Sequence, residues 1–395
     1  MYRESSAGLF EAFQDELTLF RRDLHAHPEL GFEESRTSSR VAGMLDALGI
    51  EVHRGIGKTG LVGVLKGQRN DSGRMIGLRA DMDALAVQEA NQFAHASNKP
   101  GLMHACGHDG HTTILVGAAK YLAQTRRFDG HVAFIFQPAE EGRGGAQAMI
   151  DDGLFERFDC DAVYALHNWP GLPPGMIGIN SGPMMAAADR FEIRIQGRGG
   201  HGAHPYQTVD PVLVASHLVT ALQSVVARNV NPLDAAVVTV ASIKAGDPAA
   251  MSVIPDHATL VGTVRTFRHS VQDMVQRRMQ MLVEQIASGF DASATLTYQK
   301  LYPPTINTPE PAAMVADLAT ELFGRERVER NLPPSMGAED FSYMLQQRPG
   351  AYFRLGQGGA QEGCFLHNPN YDFNDDVIPV GARLFAAIVE RSMPL

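Results

Sequence analysis

The sequence is poor in cysteine and has neither a dense run of Lys or Arg nor a long apolar stretch. Each shortage narrows what the protein can be. Three cysteines in 395 residues, at positions 106, 160 and 364, are too few and too odd in number for a disulfide framework. They suit a reducing compartment with free or metal-bound thiols, so a cytoplasmic location is expected. The 34 Lys and Arg stand against 44 Asp and Glu, a formal net charge of −10. With no basic run to compensate locally, neither nucleic acid nor an anionic membrane is expected as a partner. No apolar run approaches the ~20 residues of a membrane span. The stretch MYRESSAGLFEAF lacks the basic and apolar regions of a signal peptide. Internal repeats and low-complexity tracts are also missing. What remains, 44% hydrophobic and 20% charged, is the composition of a soluble globular protein. The length suggests two to three domains.

The densest chemistry lies in MHACGHDGH, Met103 to His111, which packs a thiol, three imidazoles and a carboxylate into nine residues. Gly107 and Gly110 allow a tight turn there. Cys106 and His108, two residues apart, can reach one borderline-soft ion such as zinc, nickel, cobalt or manganese. The apolar run Ile114 to Leu122 reads as a helix, which places the cluster on the turn leading into it. A lone Cys-x-His supplies two ligands, and a site needs more.

The rest of the chain offers them at a recurring place. Met75 to Ala80 is a short apolar strand ending in Asp81-Met82-Asp83. His131 to Gln137 is another, stopped by Pro138 and followed by Glu140 and Glu141. Asp161 to Leu166 ends in His167, and Phe365-Leu366 leads into His367. Ala351 to Leu355 is also strand-like. Apolar strands separated by helices (9–24 and 35–48 among them) predict a mixed α/β sheet with helices on both faces. Ligands of such sheets gather at the strands' carboxyl ends. His104 and His111 read as packing or supporting groups, and Cys160 and Cys364 as core thiols.

The pattern changes after Gly182-Pro183. Phe191, Ile193 and Ile195 alternate with Arg190, Glu192 and Arg194, as in a half-buried strand. Asp210-Pro211 starts a helix running to about Arg228. Strands 236–243 and 258–267, a helix from Val271 to Ile286 and a strand 294–299 complete a β-α-β-β-α-β order. That is a ferredoxin-like α+β domain, expected to serve as lid and dimerisation module. The expected division is 1–185 and 301–395 for the catalytic domain, with 186–300 inserted.

With these stretches assembled, the sequence resembles the bacterial hippurate hydrolase and N-acyl-amino-acid amidohydrolase family of di-metal peptidases, which includes the plant auxin-conjugate hydrolases. The resemblance runs through LHAHPELGFEE, RADMDAL, MHACGHDGHT, QPAEEG, ALHNWP, GRGGHGAHP, VIPD, GTVRTF, GAEDFSYM and FLHNPNYDFND. It implies metal ligands at Cys106, His108, Glu141, His167 and His367, with the cysteine bridging two divalent ions (Zn, Mn, Ni or Co) per subunit. It also implies Glu140 as general base and Asp83 as a supporting carboxylate. His201 is implied as a substrate or oxyanion contact reaching the partner subunit's site, and Arg265 as a neighbour of the substrate carboxylate. His204 reads as a loop residue or a minor substrate contact. Two positions depart from the family pattern. Ala86 replaces a proline, and Ser252 replaces an asparagine near the implied carboxylate site.

The expected reaction is metal-dependent hydrolysis of the amide of a small N-acyl amino acid, in a homodimer or higher homo-oligomer. A di-metal dipeptidase and an N-acetyl-diaminopimelate deacetylase are alternatives within the same chemistry. A covalent Cys106 nucleophile with His108 as base suffers from poor geometry on a tight turn. A non-catalytic metal-binding protein would have no use for Glu140, whose plain alternative is a surface partner of Arg143.

Overall fold

The computed structural model describes residues 2–360 and 363–395, with side chains from residue 8 onward. The chain divides into two compact units. One comprises Met1–Met184, Ile306–Pro333 and Asp340–Leu395, and the other Met185–Thr305 with Pro334–Glu339.

The larger unit is built on an eight-stranded mixed sheet. Its order is Glu51–Ile56, Gly60–Lys66, His131–Gln137, Met75–Asp81, Ala162–Trp169, Gly350–Gly356, Ile177–Gly178, Val328–Glu329. The four central strands run parallel to their neighbours among themselves. Because side chains alternate, each apolar run feeds two faces. Val132, Phe134 and Phe136 join a core shared with helices Tyr2–Ala26, His108–Thr125 and Ile378–Ser392. Residues 133, 135 and 137 are equally buried on the other face, where Gly145–Asp151 and Phe341–Gln347 pack. Each large apolar side chain so buried contributes about 1.5–3 kcal/mol. The parallel arrangement brings the carboxyl ends of Met75–Asp81, His131–Gln137 and Ala162–Trp169 to one side, and this positions the chemistry. The short strand Ile177–Gly178, the edge strand Val328–Glu329 beside it and the helices Pro309–Phe323, Phe341–Gln347 and Ile378–Ser392 had no counterpart in the sequence reading.

The first helix buries Phe13, Leu17, Phe20 and Leu24 as their spacing predicts. It runs on to Ala26 and so carries Arg21 and His25 into a buried polar cluster. His25 Nδ1 lies 2.8 Å from Asp109 Oδ2, and its Nε2 lies 3.3 Å from Glu89 Oε1. Burial disfavours its charge, but the hydrogen bonds to Asp109 and Glu89 outweigh that and raise its pKa to about 9. A folded pKa above the unfolded value means stability that is fully present below about pH 6.5 and lost as pH rises through about 9. Urea unfolding should therefore show wild type losing on the order of 1–3 kcal/mol more than His25→Gln between those pH values. Equal losses in the two proteins would remove the charged pair from the account.

The smaller unit holds a four-stranded antiparallel sheet, in the order Ala236–Ala245, His257–Thr266, Ala187–Gln196, Ser293–Tyr302. This is the ferredoxin-like order. Phe191, Ile193 and Ile195 face helices Pro211–Asn229 and His269–Gly289, while Arg190 and Arg194 are exposed on the open face. Asp210 caps the first of these helices by accepting from the backbone N–H of Val212 at 2.8 Å. This unit also takes in Pro334–Glu339, because the N–H of Ala186 bonds to the carbonyls of Ser335 and Gly337.

Candidate metal centre

The helix after the Cys-x-His motif begins inside it. His108–Thr125 is one helix, so Asp109 and His111 lie in its first turn and not on a preceding loop. Gly107, at φ +98°, makes the sharp entry. A Cβ there would lie 2.5 Å from both Asn168 Oδ1 and Tyr371 Oη, so the position excludes any other residue. Asp109 suits the positive end of the helix dipole.

Around this entry the structure gathers the candidate ligands from four stretches. Cys106, His108 and His167 have ligand atoms within 4.8 Å of one another, and so do Cys106, Glu141 and His367. The thiol belongs to both sets, which is what a bridging position requires. His108, Glu140 and Glu141 form a third set. His367 is brought in by backbone geometry, with φ +62° and its N–H bonded to the carbonyl of Ala105 at 2.7 Å. Its Nε2 stands 3.2 Å from Glu141 Oε1.

The histidine tautomers follow from their partners. His108 Nδ1 donates to the carbonyl of Asp83 at 2.9 Å, and His167 Nδ1 donates to its neighbour Asn168's carbonyl at 2.7 Å. Each therefore turns Nε2 toward the thiol side, and His167 Nε2 lies 3.4 Å from Cys106 Sγ. His108 Nε2 is buried without a hydrogen-bond partner, and Glu141 Oε1 is buried facing the His367 ring nitrogen. An orphan such as His108 Nε2 is costly unless something else satisfies it. Burial, then the Glu141 carboxylate, pushes the Cys106 thiol well above its ordinary pKa. Burial, then His111, pushes His167 well below its own. A buried thiol, the unpartnered Nε2 of His108, the Nε2 of His167 beside that thiol and the Glu141 carboxylate facing His367 are a donor set that fits divalent cations.

Supporting groups hold this set. Asp83 accepts the N–H groups of Glu140 (3.0 Å) and Glu141 (2.9 Å), which fixes the turn that carries both carboxylates. Glu34 accepts the N–H of Ala139 at 2.8 Å, just before that turn. Arg143 bonds to the carbonyl of Gly31, and Glu140 is 7% exposed, so the two do not form a surface pair. His111, although grouped with His108 and Asp81, commits both ring nitrogens elsewhere. Nδ1 bonds to Asp81 at 2.6 Å and Nε2 meets Asn168. It is an orienting group. Burial works against the Asp81 charge, but Arg79, His108 and His111 hold its pKa well below the carboxylate range. His104 is buried with neither ring nitrogen hydrogen-bonded, and burial lowers its pKa to about 4.

In the smaller unit, His201, His204 and Ser252 come together. His201 pairs with Val253 between two short strands, the N–H of His204 bonds to the carbonyl of His201, and the carbonyl of Ser252 accepts from Gly202. All three are exposed. Arg265 lies apart from them, on strand His257–Thr266. Cys160 is buried as expected, and burial raises its thiol to about 12. Cys364 is not a core thiol. It is half-buried in a polar loop, bonded to the carbonyl of Asp372.

The sequence reading missed Arg79, Asn168 and Asp340 as parts of the site. An arginine inside an apolar strand was the available signal for the first.

Comparison with known proteins places these features in a wider group. A family model described as peptidase family M20/M25/M40 matches residues 77–391. The hippurate hydrolase of Campylobacter jejuni is 42% identical, over 95% of this chain and 96% of its own. The IAA-amino acid hydrolase ILR1-like 4 of Arabidopsis thaliana is 37% identical, over 96% of this chain and 86% of its own. Among solved structures, a dinuclear metal-binding peptidase of the M20 family from Bacillus subtilis superposes with a TM-score of 0.85. It is 34% identical and covers 97% of this chain and 99% of its own.

Proposed function

The chain belongs to peptidase family M20/M25/M40, and from that premise we propose that it hydrolyses the amide bond of N-acyl amino acids in a metal-dependent reaction. The observation that carries this reading is the shared thiol of Cys106, flanked on one side by the buried His108 and His167 and on the other by the half-buried Glu141 and the exposed His367, with Glu140 grouped with His108 and Glu141. Cys106, His108, Glu141, His167 and His367 would hold two divalent ions, drawn from zinc, manganese, nickel and cobalt. Bound there, the ions would acidify water and polarise the scissile carbonyl.

Glu140 takes the proton of the attacking water and returns it to the leaving amine nitrogen. Amide cleavage needs this because an unprotonated amine leaves poorly. Asp83 keeps Glu140 and Glu141 pointed apart in role by anchoring both their backbone N–H groups. Arg265 meets the substrate carboxylate, while Ser252 and His204, which lie beside His201 and apart from Arg265, would contact substrate alongside His201. The names of the relatives put aromatic acyl groups among the candidates. A panel of N-benzoyl, N-acetyl and indole-3-acetyl amino acids would rank them, and absence of turnover on every one would overturn the reading.

We also propose that the protein is a homodimer and that His201 stabilises the tetrahedral oxyanion in the partner subunit's site. The smaller unit's sheet ends in strand Ala236–Ala245, an edge whose Ile243 is 56% exposed. Such edges are covered or paired, and two copies could pair them by the same surface used twice. Mixing Glu140→Gln with His201→Ala under subunit exchange should restore roughly a quarter of wild-type activity. Half the dimers are then mixed, and one site of each regains both groups. Verified exchange with no recovery would assign His201 to its own subunit.

A further inference from the structure

GAEDFSYM, 337–344, has had no part in the reaction so far. Its Asp340 immediately precedes helix Phe341–Gln347 and is fully buried. Asp340 Oδ1 accepts from Arg79 at 3.1 Å and from Gln137 Nε2 at 2.7 Å. Its Oδ2 accepts the N–H of Ala146 at 2.9 Å. With the side chain anchored inward by these three donors, its backbone N–H points at Glu140 Oε1, 3.3 Å away.

Arg79 is the other half of the device. It lies 1% exposed in the middle of strand Met75–Asp81. One arm donates to Asp81 at 2.8 Å and another to Asp340, while Nε donates to Gln137 Oε1 at 2.8 Å. One guanidinium therefore ties three stretches whose ends bear the chemistry: the strand leading to Asp83, the strand leading to Glu140, and the start of the 341–347 helix. A buried arginine facing two carboxylates would be needless for packing alone, since apolar residues of similar volume serve a core as well. Its planar fork is what sets the three acceptors at fixed angles.

We propose that Asp340, locked by Arg79, is a positioning residue for Glu140, tethering one oxygen of its carboxylate so that the proton shuttle meets water in a fixed direction. This rests on Glu140 being the base. Misplacing a reacting group by about 1 Å can cost ~10²-fold, which is ample reason for such a tether.

The test is a double-mutant cycle on the metal-loaded enzyme. Asp340→Ala should lower kcat by roughly 10–100-fold, with KM changed less than about twofold and divalent content per chain unchanged. In a Glu140→Gln background the same substitution should cost nothing further, because the group it positions is already gone. Arg79→Lys, a milder change, keeps the charge without the fork and should show a smaller loss with the same non-additivity. It carries the test if Asp340→Ala does not fold. If Glu140→Gln keeps only residual activity and either second substitution lowers kcat by the same factor in both backgrounds, Asp340 serves only the fold and this inference fails alone. If Glu140→Gln retains full activity, the base assignment fails and this inference falls with it.

Discussion

Glu140→Gln should lower kcat by ~10²–10⁴-fold while the protein keeps its metal and its KM. The substitution preserves shape and removes only the ability to take a proton. Its backbone N–H still bonds to Asp83, and Glu141, the neighbouring carboxylate that faces His367, remains available as a ligand. A binding protein needs ligands and no base, so this variant separates an enzyme from a metal carrier. Metal analysis after dialysis and steady-state kinetics on an N-acyl amino acid would read both quantities. Should Glu140→Gln lose its metal and Glu141→Gln retain it, the two roles must be exchanged.

Cys106→Ala should strip most of the metal and with it the activity, weakening divalent binding by at least about 100-fold. Two sets of donors share this one sulfur, so its loss removes a ligand from each. The environment makes the thiol a poor anion by itself, since burial and the Glu141 carboxylate both favour the protonated form. A cation is what makes the thiolate worthwhile there. The same variant excludes the covalent alternative. A nucleophilic cysteine would lose activity on mutation and leave the metal content intact, and it would work in the presence of chelators. Full metal retention by Cys106→Ala would take the thiol out of the centre.

Much of this site was legible because metal chemistry restricts residue type so severely. Cys106, His108, Glu141, His167 and His367 are the few side chains that can bind borderline-soft ions, and four of them sit at strand or motif ends that stand out in the text. The helical spacing of Phe13, Leu17, Phe20 and Leu24 and the alternation of Phe191, Ile193 and Ile195 were equally readable, since burial imposes periods of 3.6 and 2. Less visible was the start of the helix at His108, because a histidine and an aspartate carry no apolar signal. Cys364 was misjudged for a related reason. It packs against the edge of the apolar core, but its thiol is also held by the polar Asp372 and Gln357 from the surrounding loops.

Local sequence alone determined the strongly periodic elements and which residue types could do metal-assisted hydrolysis, because periodicity and ligand chemistry act over a few residues; elements such as Pro309–Phe323 and Phe341–Gln347 were not read from it. Only the tertiary structure decided which of those residues converge and in what state. Parallel pairing of Met75–Asp81 with its two neighbours sets Asp83 under Glu140 and Glu141. It also places Arg79 between Asp81 and Asp340, which are 259 positions apart by subtraction of their numbers. The His108 tautomer and the depressed pKa of Asp81 arise from such long-range neighbours, and a single buried carbonyl or carboxylate from a distant strand is enough to choose them.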